Sequence, residues 1–94
     1  MKIGYIVASN EVMVDGKPVG YLYREAPRDD LDSGWRVFSG DENEEYLEDA
    51  SKFSMYNATT VLECSPQIKI LLGFEYPIEF EFDQKAGEFI KIED

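Results

Sequence analysis

The chain has 94 residues, 44% of them hydrophobic and 14% aromatic, which bounds it to one domain (residues 1–94) with a single modest core and excludes a disordered acidic tail. Nine basic residues against twenty acidic ones leave a formal charge of −11, a field that repels nucleic-acid backbones and anionic membranes and attracts basic proteins. With no histidine and a lone Cys64, the chain excludes Ser-His-Asp and Cys-His catalysis, histidine-containing zinc sites and an internal disulfide, and it suits a reducing cytoplasm.

The opening MKIGYIVASNE has too short an apolar stretch for a signal-peptide core. No run approaches the roughly 20 apolar residues that span a bilayer, so the expectation is a cytoplasmic protein with no membrane partner. Residues 3–8, IGYIVA, read as a buried strand, and Ser9-Asn10 as a turn. In EVMVDGKPVGYLYRE, Val12 and Val14 precede an Asp15-Gly16 turn, and Val19, Tyr21 and Tyr23 follow at period two. That pattern predicts a hairpin over residues 11–24, because Asp-Gly tolerates the positive φ of a tight turn. Gly20 inside its second strand points to a bulge or a close backbone approach.

APRDDLDSG, residues 26–34, reads as an exposed loop, and WRVF, 35–38, as a short strand with Trp35 and Val37 on one face and Arg36 and Phe38 on the other. DENEEYLEDA, after Gly40, predicts a helix. Asp41 caps it with Glu44 three residues on, and Tyr46, Leu47 and Ala50 form its inner stripe. Asn57 is placed to cap a helix over 58–64, and Cys64 reads as a small apolar residue beside Leu62. Pro66 starts a further turn carrying Ile68, Leu71 and Leu72, with Gly73 just past its end. IEFEFDQKAGEFIKIE closes the chain as a hairpin over 79–93, with Lys91 expected opposite Glu79 or Glu81. The fold class is α+β: a largely antiparallel sheet with hairpins and short helices on one side.

The acidic stretch poses the functional question. Six carboxylates fall between Asp41 and Asp49 with no lysine or arginine among them. Catalysis by a carboxylate pair needs one partner buried, and this stretch is strongly hydrophilic. A calcium loop of the EF-hand kind fails in both registers: from Asp30, Gly34 comes one place early; from Asp29, Leu31 and Gly40 take ligand positions. No catalytic residue, metal site or cofactor is therefore expected. A solvated helix face explains Glu44, Glu45 and Glu48 pointing outward, but so many like charges without an i,i+4 partner cost stability. The surplus points to a docking surface for a basic protein. Its residues would be Asp41, Glu42, Glu44, Glu45 and Glu48, with Asp29, Asp30 and Asp32 at the rim. Trp35 and Arg36 join this list as residue types enriched at interfaces. Their structural reading is the stronger one: a tryptophan in an apolar run is core, and the arginine pairs with a nearby carboxylate to hold the loop. Nothing in the pattern fixes an oligomeric state.

VDGKPVGYLYRE and DSGWRVFSGDENEEYLED, with the opening strand and the closing hairpin, give the chain its likeness to a known group. It resembles a family of small bacterial proteins, first catalogued as a domain of unknown function and grouped with the immunity proteins of polymorphic toxin systems. The motif S-G-W-R-x-F-S-G-D-E, Ser33 to Glu42, and Y-R-E, Tyr23 to Glu25, carry most of the likeness. The resemblance implies a non-enzymatic α+β protein that binds and neutralises a cognate toxin. Many toxins that attack nucleic acid are basic, and an acidic inhibitor associates quickly with such a partner. The alternative is a housekeeping or regulatory protein-interaction domain with no toxin partner.

Overall fold

A computed structural model describes residues 4–93. Six strands form one sheet: β1 (Tyr5–Ser9), β2 (Tyr21–Arg24), β3 (Asp32–Phe38), β4 (Phe53–Tyr56), β5 (Ile78–Asp83) and β6 (Glu88–Lys91). Their order across the sheet is β4-β1-β3-β2-β5-β6, with β1 and β3 parallel and the other neighbours antiparallel. Helices α1 (Asn10–Met13), α2 (Glu44–Glu48) and α3 (Ala58–Cys64) are short, and 3-10 turns occupy Ala50–Lys52 and Pro66–Leu71. The fold is α+β, as the sequence predicts.

Period-two alternation sorts the side chains into two faces. Ile6, Ala8, Leu22, Trp35, Val37 and Phe80 point to one side, where Val12 of α1, Val61 of α3, Ile68 and Leu71 of the second 3-10 turn, and Leu72 just after it bury them. Trp35 is 0% exposed and donates its indole N–H to the Leu72 carbonyl at 3.2 Å, so the largest core side chain leaves no polar group unpaired. Arg24 seals the end of this layer. Its guanidinium lies over the rings of Trp35 and Tyr76 and donates to the carbonyls of Ser33 and Phe74. The opposite face carries Val7, Tyr21, Tyr23, Arg36 and Phe38, and it stays open.

Several expectations need correction. The hairpin over 11–24 does not form, because residues 10–13 make one turn of helix instead of a strand. A strand would put Val12 and Val14 on one face. The helix buries Val12 and leaves Val14 70% exposed. Gly16 does adopt a positive φ of 76°, but the turn closes α1, through Val14 and Asp15 N–H groups donating to the Asn10 carbonyl, instead of joining two strands. The expected first strand starts at Tyr5, and Ile3 lies outside the described residues.

The predicted loop over 26–34 ends early: β3 begins at Asp32, and Asp32, Ser33 and Gly34 are buried. The Asp29 carboxylate accepts from the N–H groups of Leu31 and Asp32, which folds the polar run into a tight turn and leaves the residues of β3 free to pair with β1. Strand β4 arises in a stretch that lacks visible periodicity. Lys91 sits opposite Phe80, and Ile90 opposite Glu81, so no cross-strand lysine–glutamate pair forms; Lys91 meets Glu93 at 3.5 Å instead. Cys64 is exposed and not packed. By contrast α3 runs from Ala58 to Cys64 behind Asn57, and the closing hairpin lies where it is expected.

Candidate partner-binding face

Strand β3 supplies the anchor of the open face. Because Trp35 and Val37 turn into the core, Arg36 and Phe38 turn the other way. Arg36 is only 3% exposed, and its charge is met by a two-pronged pair with Asp32 at 2.8 and 2.9 Å and by Glu25 at 2.8 Å. The Asp32 carboxylate also accepts from the backbone N–H groups of Arg28 and Gly34, so both oxygens are fully used. The Arg36 guanidinium, helped by these N–H groups and opposed by burial, holds the Asp32 carboxyl well below the usual carboxylate range. In turn Asp32, followed by Glu25, raises the Arg36 pKa against its burial. This expected ion pair holds the turn into β3.

Beside Arg36 runs a row of rings. Tyr23 stacks on Phe38 at 5.9 Å, Tyr21 lies 5.7 Å from Phe38, and Phe53 meets Phe38 edge-on at 5.8 Å. Tyr46 of α2 continues the row to Phe53 at 5.8 Å. On the far side of β2, register places Glu79 beside Tyr23 and Glu81 beside Tyr21. The Tyr21 hydroxyl donates to Glu79 at 2.5 Å. Burial and then this carboxylate push the Tyr21 phenol far up; burial and then Glu25 raise that of Tyr23. Tyr21, Tyr23, Phe38 and Phe53 floor a cleft of 1320 Å³ that continues past the 17–20 segment to Phe82 and Gln84.

The acidic stretch forms one margin of this cleft, in two parts with different duties. Glu42 is half-buried and turned inward. It accepts from the Ser9 hydroxyl at 2.7 Å and from the N–H groups of Ser39 and Gly40 at 2.8 and 2.9 Å. Burial pushes its pKa up, but these donors more than offset that and leave it lowered. Asp41, Glu44, Glu45 and Glu48 are exposed. The helix is shorter than expected, and Asn43, not Asp41, caps it, accepting from the Tyr46 N–H at 2.8 Å. Tyr46 is partly buried and its hydroxyl accepts from the Glu11 N–H, but Leu47 and Ala50 are exposed, so the expected inner stripe is a single residue. Asp49 caps the following 3-10 turn.

The other candidates are dispersed. Asp29 and Asp30 are exposed in the turn before β3, whereas Asp32 is buried under Arg36. Trp35 and Arg36 are 0% and 3% exposed, so neither offers surface to a partner in this conformation. Among the described residues, no three His, Cys, Asp or Glu side chains are grouped to hold a metal ion. Sequence reasoning singles out Tyr21 and Tyr23 as strand residues and Glu79 and Glu81 as alternating with the core phenylalanines. Their adjacency depends on β2 pairing with β5, across more than fifty residues of chain, and no local signal reports that pairing.

Among curated proteins and among solved structures, nothing matches the chain. The family model of the immunity protein Imm33 domain matches residues 6–93, from β1 through the closing hairpin. The chain therefore belongs to the Imm33 immunity protein family.

Proposed function

We propose that the chain is an immunity protein that neutralises a cognate toxin by binding it directly, without catalysis, and that the toxin is a basic protein. Membership of the immunity family over residues 6–93 carries the reading. The formal charge of −11 and the exposed carboxylates of Asp41, Glu44, Glu45 and Glu48 support a basic partner, because such charges raise the association rate with a cationic surface. The proposed site of action is the cytoplasm; among the described residues no helix is long and apolar enough to cross a membrane.

The test is co-expression with each candidate toxin domain found in the genes adjacent to this one, followed by association kinetics. Wild type should restore growth. Reversal of Glu44, Glu45 and Glu48 to Lys should leave the fold intact, since α2 buries none of its residues, and should slow association. The slowing should fade toward about 1 M salt, where the Debye length is about 3 Å. Growth arrest despite a folded chain would overturn the immunity reading and leave an interaction domain without a toxin partner.

A further inference from the structure

We propose that the centre of the partner interface is not the acidic helix but the open aromatic face, and that it receives an arginine-bearing segment of the partner protein. The inference rests on the immunity reading and deepens it. The face has the chemistry of an interface centre: Tyr21, Tyr23 and Phe38 lie in mutual contact on rigid strands, and Met55 and Ile90, at its two margins, are 54% and 42% exposed. Tyrosine presents large, stiff, amphipathic area at small entropic cost, which is why it concentrates at interface hot spots.

Charge selects the occupant. Glu79 and Glu81 stand one strand away from Tyr23 and Tyr21, a separation of about 4.8 Å between neighbouring strands. Among the described residues no ion pair reaches either carboxylate: Arg36 is held by Asp32 and Glu25, Lys17, at the rim, is paired with Glu11 at 3.1 Å, and Arg28, which also lines the cleft, makes no ion pair. One oxygen of Glu79 takes the Tyr21 hydroxyl, while the carboxylate of Glu81 is exposed and makes no ion pair. A planar guanidinium laid on the Tyr21 and Tyr23 rings brings its N–H edge to these carboxylates, gaining a cation–π contact and charge-assisted hydrogen bonds together. An ammonium gains the second without the planar stacking, so the face prefers arginine to lysine. A second copy of the chain is a poor occupant, because it would bring another Glu79 and Glu81 to the same place.

The experiment has two arms. In the first, an inactivated toxin domain identified by the co-expression test is bound to wild type, Glu81→Lys, Met55→Asp and the reversed-α2 triple variant. Glu81 and Met55 are exposed, so both substitutions should fold. Each should raise the dissociation rate by about tenfold or more, whereas the α2 variant should change chiefly the association rate. In the second, NMR shifts of the chain alone are followed with a short arginine-only peptide and its lysine-only counterpart. The arginine peptide should bind more tightly and perturb Tyr21, Tyr23 and Phe38. If the toxin does not bind wild type, the immunity reading fails, and the peptide arm alone decides the inference about the face. If the toxin binds and Glu81→Lys and Met55→Asp dissociate within twofold of wild type, the face is not the centre. Peptide shifts confined to α2, or equal for lysine and arginine, overturn the preference as well.

Discussion

Replacing Asp32 with Ala probes the buried Asp32–Arg36 ion pair that positions the open face. The substitution removes a carboxylate that accepts four hydrogen bonds, two from Arg36 at 2.8 and 2.9 Å and two from the N–H groups of Arg28 and Gly34 at 2.9 and 3.0 Å. It leaves a guanidinium that is 3% exposed with Glu25 as its one remaining carboxylate. Breaking one partner out of a buried pair costs about 3–5 kcal/mol, a large part of the roughly 5–15 kcal/mol that holds a small domain folded. For a chain of this length the melting temperature should fall by roughly 12 °C or more. Urea unfolding followed by tryptophan fluorescence reads the change directly, since Trp35 is the lone tryptophan and is fully buried.

The same pair fixes the sign of the acid response. The folded-state pKa of Asp32 is depressed, so its contribution is fully present above the unfolded value of about 3.9 and is lost as pH falls through the lower folded value. The stability gap between wild type and Asp32→Ala should therefore hold from pH 7 to about 5 and narrow progressively as pH falls below about 4. A paired Asp32→Leu and Arg36→Met variant should recover part of the loss, because it leaves no buried charge and Glu25, whose side chain is 46% exposed, returns to water, while the Arg28 and Gly34 N–H groups still lack their acceptor. A loss under about 1 kcal/mol for Asp32→Ala, or a gap that stays constant down to pH 2, would refute the reasoning.

Trp35→Ala should cost about 3–5 kcal/mol in the same unfolding assay, read by circular dichroism, because it empties the centre of the core and orphans the Leu72 carbonyl. Gly20→Ala should cost about 1–3 kcal/mol: a Cβ there would overlap the Ser39 carbonyl oxygen, and the Gly20 backbone is tied on both sides, to Phe38 at 3.0 Å and Phe82 at 2.9 Å. Thermal melts that shift by less than 1 °C would show that the Ser39 turn yields freely.

What the sequence reveals here is set by the range of the interaction that decides it. The alternation in WRVF reports burial by itself, and the faces of Trp35, Arg36, Val37 and Phe38 emerge from it. The helix behind Asn57 and the hairpin around Gly87 are local too, closed by a cap position and by a positive φ of 69°. Val12 fails for the opposite reason. Four residues cannot distinguish one turn of helix from the start of a strand, and the outcome depends on the pocket over β1 and β3 that Val12 fills. Asp41 loses the cap to Asn43 because Glu42 is already drawn inward by Ser9, so the chain does not turn helical until two residues later.

The stretch from Ser33 to Glu42 is largely framework. Ser33 donates to the Tyr5 carbonyl at 2.7 Å and accepts from the Trp35 N–H at 3.1 Å, and so ties β3 to β1. Gly34, at a φ of +88°, passes so close to the Glu25 carbonyl that no Cβ would fit between them. The Ser39 hydroxyl donates to Glu11 at 2.6 Å, and Glu42 closes the turn onto Ser9. Each of these groups faces the protein. Of the proposed partner face, Phe38 lies within Ser33 to Glu42, whereas Tyr21, Tyr23, Glu79, Glu81 and Met55 lie outside it, on β2, β4 and β5. Glu81 and Met55 are exposed, so their side chains can change without disturbing the hydrogen bonds that tie β3 to β1 or the close approach of Gly34 to Glu25.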